Sequence, residues 1–175
     1  MRVDVYSGSL SRLATEALVV TCFEDIRPLC GLAGEVDWFY HGVFSRLIQQ
    51  SIFRGALGRA ALIPTEGKLE INKTVLMGLG KSTAYGPDQF DAAIQRIIET
   101  LSDLNIRAAA VEMDLLTSFS PSLETTQEAA SRLSCLGATH VMASGQLTLV
   151  MRDVEQANRL RHSLQSGNRL NASVN

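Results

Sequence analysis

The run E-A-L-V-V-T-C-F at residues 16–23 constrains the fold more than any other stretch of the chain. It has the length of a strand, and after Glu16 it shows no alternation between apolar and polar positions. A strand with one face in water alternates with period two, whereas a strand covered on both faces does not. The run therefore predicts a strand near the centre of a sheet, with helices packed above and below it.

Flanking segments agree with that placement. Residues 2–6, 59–64, 73–77 and 107–113 read as further short strands, separated by glycine or polar turns. Leu32, Val36, Phe39, Val43 and Leu47 step by three and four, with Tyr40, Phe44 and Ile48 beside them. That wide stripe predicts one deeply packed helix, in which Gly42 marks either a close contact or a break. Pro87 suits the first turn of a helix, with Asp88 at its positive end and Phe90, Ile94, Ile97, Ile98 and Leu101 as its buried face. Ser120-Pro121 reads as the N-cap and first residue of a helix reaching about Leu136.

The last third predicts a hairpin, with strands at residues 139–143 and 147–151 around a turn at 144–146. Asp153 then caps a final helix striped by Val154, Ala157, Leu160 and Leu164. Residues 1–166 form one expected domain, and 167–175 a polar, frayed tail. Helices interleaved with apolar strands give an α/β fold: a three-layer α/β/α sandwich around a central mixed sheet.

Composition narrows the function classes. With 46% hydrophobic residues in 175, the chain can bury one sizeable core, and with 6% aromatics that core is mostly aliphatic. Sixteen basic residues face eighteen acidic ones with no basic block, so nucleic acid is not an expected partner. No apolar run approaches the roughly 18 residues of a membrane span. Cys22, Cys30 and Cys135 are an odd set without close pairing, which favours free thiols in a reducing, cytoplasmic setting.

Gly78-Leu79-Gly80-Lys81-Ser82 ends like a nucleotide-triphosphate loop. That loop needs a glycine five residues before Gly80, where this chain has Val75, and a helix starting at the Lys-Ser pair. Two readings remain: Gly78, Gly80 and Lys81 as an anion-binding turn, or the glycine turn that ends a buried strand. Ser118 and Ser120 lie in a serine-rich loop before a helix, a place that favours anions, although serines there more often cap. Glu112 and Asp114 share a face if the strand reaches them, and the expected state is solvated rim charge. Cys22, in an apolar strand, is expected to be a buried structural thiol. The histidines and cysteines are too scattered for a metal site, and no cofactor is implied.

The order of these segments resembles the N-terminal domain of the leucyl aminopeptidases. The matching stretches are A-L-V-V-T-C-F-E-D at residues 17–25, F-S-R-L-I-Q-Q at 44–50, F-R-G-A-L-G-R-A-A-L-I-P at 53–64 and K-T-V-L-M-G-L-G-K at 73–81. A helix and the strand R-A-A-A-V-E-M at 107–113 complete the set. The resemblance implies a macro-domain-like fold. It also implies that the two-metal peptidase chemistry belongs to a separate catalytic domain with no counterpart in these 175 residues, so no catalytic or metal residue carries over.

In macro domains an acidic residue after the first core strand and two glycine-rich loops hold ADP-ribose. Here Glu24-Asp25 follows such a strand, and Gly31-Leu32-Ala33-Gly34 stands in for the first loop. The second loop is Asp114-Leu115-Leu116-Thr117-Ser118-Phe119, without a glycine. The expected function is thus a non-catalytic, stand-alone relative acting through protein contacts or self-association. The alternative is a macro-domain-type binder or hydrolase of ADP-ribose or a related nucleotide, through Gly31, Gly34, Gly78, Gly80, Lys81, Ser118 and Ser120. A third reading, a nucleic-acid-binding regulator, has no basic block to carry it.

Overall fold

A computed structural model describes residues 2–65, 67, 69–120, 123–139 and 145–172. Six strands form one sheet: β1 (Arg2–Tyr6), β2 (Thr15–Cys22), β3 (Ala60–Pro64), β4 (Ile71–Gly78), β5 (Ala108–Glu112) and β6 (Gln146–Val150). Their spatial order is β1-β6-β5-β2-β4-β3. Every neighbouring pair is parallel except β3 and β4, so the sheet is mixed.

The central apolar run behaves as its pattern requires. In β2, Ala17 and Val19 face one layer of helices while Leu18, Val20 and Cys22 face the other, all of them buried. On the first side lie α3 (Pro87–Asp103), α4 (Leu123–Thr139) and α5 (Val154–Ala172); on the second lie α1 (Gly31–Phe39) and α2 (Val43–Gln49). The α3 stripe of Phe90, Ile94, Ile97, Ile98 and Leu101 is sealed against the sheet. Each such side chain contributes about 1.5–3 kcal/mol on burial. Pro87 occupies the first turn of α3, and the Gln89 side chain accepts the Gly86 N–H at 3.2 Å.

Two expectations need correction. The stripe from Leu32 to Leu47 is two helices, because Gly42 takes φ 77° and breaks the chain between them. Asp37 of α1 then caps α2, its Oδ1 accepting the Phe44 N–H at 2.7 Å while Oδ2 accepts the Ser45 hydroxyl. Both helices keep their apolar side on the sheet, so the periodicity runs on through the break.

The expected hairpin partner of β6 is not found among the described residues. Strand β6 lies between β1 and β5, parallel to both, which leaves neither edge for a strand at 139–143. Thr139 is the last residue of α4, and residues 140–144 lie outside the described set. The α4 helix is described from Leu123 onward, and the expected start at Ser120-Pro121 lies partly outside the described residues. Asp153 does cap α5, accepting the N–H groups of Glu155 and Gln156, and α5 runs on to Ala172 within the segment read as a tail.

Candidate functional site

Five strands run parallel, so their C-terminal ends share one edge of the sheet, where ligands of open α/β folds are bound. The segments following β2, β4, β5 and β6 gather there: residues 23–30, 79–86, 113–120 and 151–153. Each candidate group from the sequence therefore sits at the same edge, except that Gly34 is one turn inside α1. What differs is how much of their bonding capacity is left.

At the centre lies Glu112, the last residue of β5, only 1% exposed. Its Oε2 accepts the Thr21 N–H at 2.8 Å and the Thr21 hydroxyl at 3.1 Å, and its Oε1 accepts the Leu32 N–H at 3.1 Å. A helix N-terminus presents unpaired N–H groups and positive potential to an anion. At α1 that anion is the protein's own carboxylate. Burial pushes the Glu112 carboxyl up to about 7, against the downward pull of the Thr21 and Leu32 donors. Glu112 is thus a buried, fully engaged group and not the solvated rim charge its position suggested. Its partners lie 80 and 91 residues away in sequence, so no local spacing could have announced them.

Gly31 opens α1 with φ 61°, and a Cβ there would stand 3.0 Å from Glu112 Oε1. Gly34 packs over the preceding loop, where a Cβ would meet the Leu29 carbonyl at 2.6 Å. Gly31 thus serves close packing against the carboxylate, and Gly34 close packing of α1 on the loop before it. Asp114 follows on the same side: its carboxylate accepts the Arg152 N–H at 2.9 Å, and burial raises its carboxyl above the ordinary range.

The Gly78-Leu79-Gly80 turn is consumed by backbone pairing. Leu79 N–H donates to Cys22 O at 2.9 Å, Gly80 N–H donates to Gly55 O at 2.9 Å, and Gly80 O accepts from Glu24 at 2.7 Å. A Cβ on Gly78 would lie 2.3 Å from the Ala56 carbonyl, which explains glycine there without a ligand. Lys81 is exposed. Beside it, Asp25 accepts both the N–H and the hydroxyl of Ser82, at 2.8 and 3.0 Å, and the Ser82 N–H is the main cause holding its carboxyl low.

The loop after β5 closes on itself. Thr117 and its hydroxyl donate to Met113 O, Ser118 N–H to Leu115 O, and Ser120 N–H to Thr117 O. Leu116 is fully buried. Phe119 stacks edge-on against Tyr85 at 5.8 Å and tilts onto Phe90 at 5.2 Å, while the Tyr85 hydroxyl donates to Leu116 O at 2.8 Å. Ser118 and Ser120 are left exposed on the rim of this aromatic knot. A cavity of about 210 Å³ does open at this edge, between Tyr6, Gly8, Leu32 and Arg152. Arg152, the cation among its described lining residues, is already paired, meeting Glu35 at 2.7 Å.

Cys22 is buried in β2, and burial raises its thiol to about 12, as a structural cysteine requires. Among the described residues no group of three His, Cys, Asp or Glu side chains is placed to hold a metal ion. No described helix is long and apolar enough to cross a membrane.

Known proteins agree with this architecture. A macrodomain of Trypanosoma brucei solved with ADP-ribose superposes with a TM-score of 0.74, covering 93% of this chain and 69% of its own at 13% identity. A tomato leucine aminopeptidase variant superposes at 0.64 over 93% of this chain and 35% of its own, at 15% identity. Such identities establish the shared fold alone. In sequence, a probable cytosol aminopeptidase of Geobacter sp. (strain M21) is 30% identical over 125 residues, which is 71% of this chain and 25% of that relative. The chain thus spans about a quarter of the length of that relative. The profile described as "Cytosol aminopeptidase family, N-terminal domain" matches residues 19–138, more than half of the chain, and the protein belongs to that family through this domain.

Proposed function

We propose that this domain is a non-catalytic contact module, which acts by binding protein partners and not by binding a nucleotide at its macrodomain-like edge. The observation that carries this reading is the Glu112 carboxylate, seated on the Thr21 and Leu32 N–H groups at the α1 terminus. An incoming diphosphate would have to displace a buried anion and then face its charge. Leu116 and Phe119 fill the neighbouring loop, where a close backbone approach would be needed. Elsewhere the surface carries apolar side chains that water does not favour: Trp38 is 76% exposed, Ile52 69% and Leu62 48%.

Titration calorimetry with ADP-ribose tests the reading. No saturable heat at millimolar ligand is expected. Binding with micromolar affinity would reinstate the nucleotide-binding alternative, which the superposition on the ADP-ribose-bound T. brucei macrodomain keeps in view.

A further inference from the structure

Strand β3 ends the sheet, and no described strand pairs with its outer side. Its hydrogen-bonding parity follows from the two ends of its ladder with β4. Gly78 N–H donates to Arg59 O, and Thr65 N–H donates to Asn72 O. Odd-numbered residues therefore face β4, and the N–H and C=O groups of Ala60 and Leu62 face outward. No backbone partner meets them among the described residues. Pro64 has no N–H to offer, which confines any added strand to the stretch before it.

Alongside this edge runs a groove of about 520 Å³, lined among others by Leu47, Ile52, Arg54, Arg59, Ala60 and Leu62. Ile52 and Leu62 give it an exposed apolar wall. Its charged residues are Arg54 and Arg59, with no carboxylate among the described lining residues. Neither guanidinium is salt-bridged to a described carboxylate. Outward N–H and C=O groups at Ala60 and Leu62 beside an apolar wall form a short template for strand addition, bounded by Pro64.

We infer that the β3 edge receives an extended segment of a partner protein, in which apolar residues alternate and Asp or Glu side chains meet Arg54 and Arg59. Main-chain bonds to Ala60 and Leu62 supply the pairing, the apolar wall takes alternate side chains, and the two arginines select acidic sequences. Charge decides against a second copy of this chain. Pairing β3 with its own symmetry mate would bring four guanidiniums to one groove with no described carboxylate to meet them. The inference deepens the contact-module reading by naming the surface and the chemistry of its partner. It can fail while the closed Glu112 edge stands.

The test selects a phage-displayed library of random twelve-residue peptides against the full chain, then synthesises the enriched peptides for fluorescence polarisation and hydrogen exchange. The expected winners carry at least two carboxylates among alternating apolar residues and protect the Ala60 and Leu62 amides from exchange. Their affinity should fall at least tenfold in the double variant Arg54→Glu, Arg59→Glu, whose surface changes leave folding intact by circular dichroism, and also in Ala60→Pro, which removes one outward N–H. No enrichment, peptides without acidic character, or binding unchanged in the double variant would overturn the inference. So would light scattering that shows a dimer dissolved by Leu62→Asp, because the occupant would then be a second copy.

Discussion

Glu112 and Leu32 meet at 3.1 Å, a buried carboxylate accepting a backbone N–H in the first turn of α1. Strand β5 thereby supplies a carboxylate to the helix terminus. The arrangement has a titration signature. Burial lifts the carboxyl from its ordinary 4.5 to about 7, so the folded chain holds this proton more tightly than the unfolded chain does. Stability from this group is greatest below pH 4.5, falls between 4.5 and 7, and is level above 7. A difference of that size corresponds to about 3 kcal/mol. Asp114, also raised by burial, acts in the same direction. Urea unfolding across this range should show the decline, and a flat profile would contradict it.

Glu112→Gln separates charge from shape. The amide keeps one acceptor oxygen for two oxygens' worth of donors, so a buried N–H of Thr21 or Leu32 loses its partner. Below pH 4.5 the variant should be less stable than the wild type by about 1–3 kcal/mol. That gap should narrow towards neutrality, because the variant has no charge to bury. Parallel urea curves at the two ends of the range check both statements.

The glycine turn makes a sharp contrast within a few residues. Gly78→Ala places a methyl 2.3 Å from the Ala56 carbonyl and 2.5 Å from the Gly55 carbonyl carbon, both backbone atoms, and should cost more than about 2 kcal/mol. Lys81→Ala, at an exposed position, should change stability by less than about 0.5 kcal/mol. Thermal unfolding of the two variants decides whether this motif is a packing device, with equal effects counting against it.

Phe119 holds the loop after β5 through its ring contacts with Tyr85 and Phe90. It is half-buried, so Phe119→Ala should cost about 1–3 kcal/mol, less than a fully buried phenylalanine. Faster amide exchange at Ser118 and Ser120 should accompany the loss. Unchanged exchange would mean that the loop is held by its own backbone bonds alone.

Cysteine reactivity reports burial independently. Cys30 and Cys135 are exposed, whereas Cys22 is buried with its thiol raised to about 12. Iodoacetamide on the folded protein should modify those two cysteines, and Cys22 only in denaturant. Mass spectrometry of the native reaction reads this directly.

Much of the fold was legible because local patterns report burial. The unbroken run at residues 16–23 became the central strand β2, and the stripe behind Pro87 became α3. The errors arose where one local pattern serves two structures. Gly42 breaks α1 from α2 without moving the apolar stripe off the sheet, so periodicity passes over the break. Strand β6 looked like half of a hairpin because its partners, β1 and β5, are distant in sequence. At the candidate site, Gly31, Gly78 and Ser118 were visible as residue types that ligand loops favour. Whether the nearby N–H groups of Leu32 and Gly80 remain available depends on Glu112 and Gly55, which only the tertiary fold brings to them.

In the proposed reading Glu112 occupies the seat a nucleotide ligand would need, and heteronuclear NMR reads that seat. The Thr21 and Leu32 amides are followed while ADP-ribose is added to millimolar concentration. Both resonances should stay in place throughout, with the two N–H groups still bonded to the carboxylate. Saturable shifts at those two amides would show a ligand entering the seat, and would contradict the account.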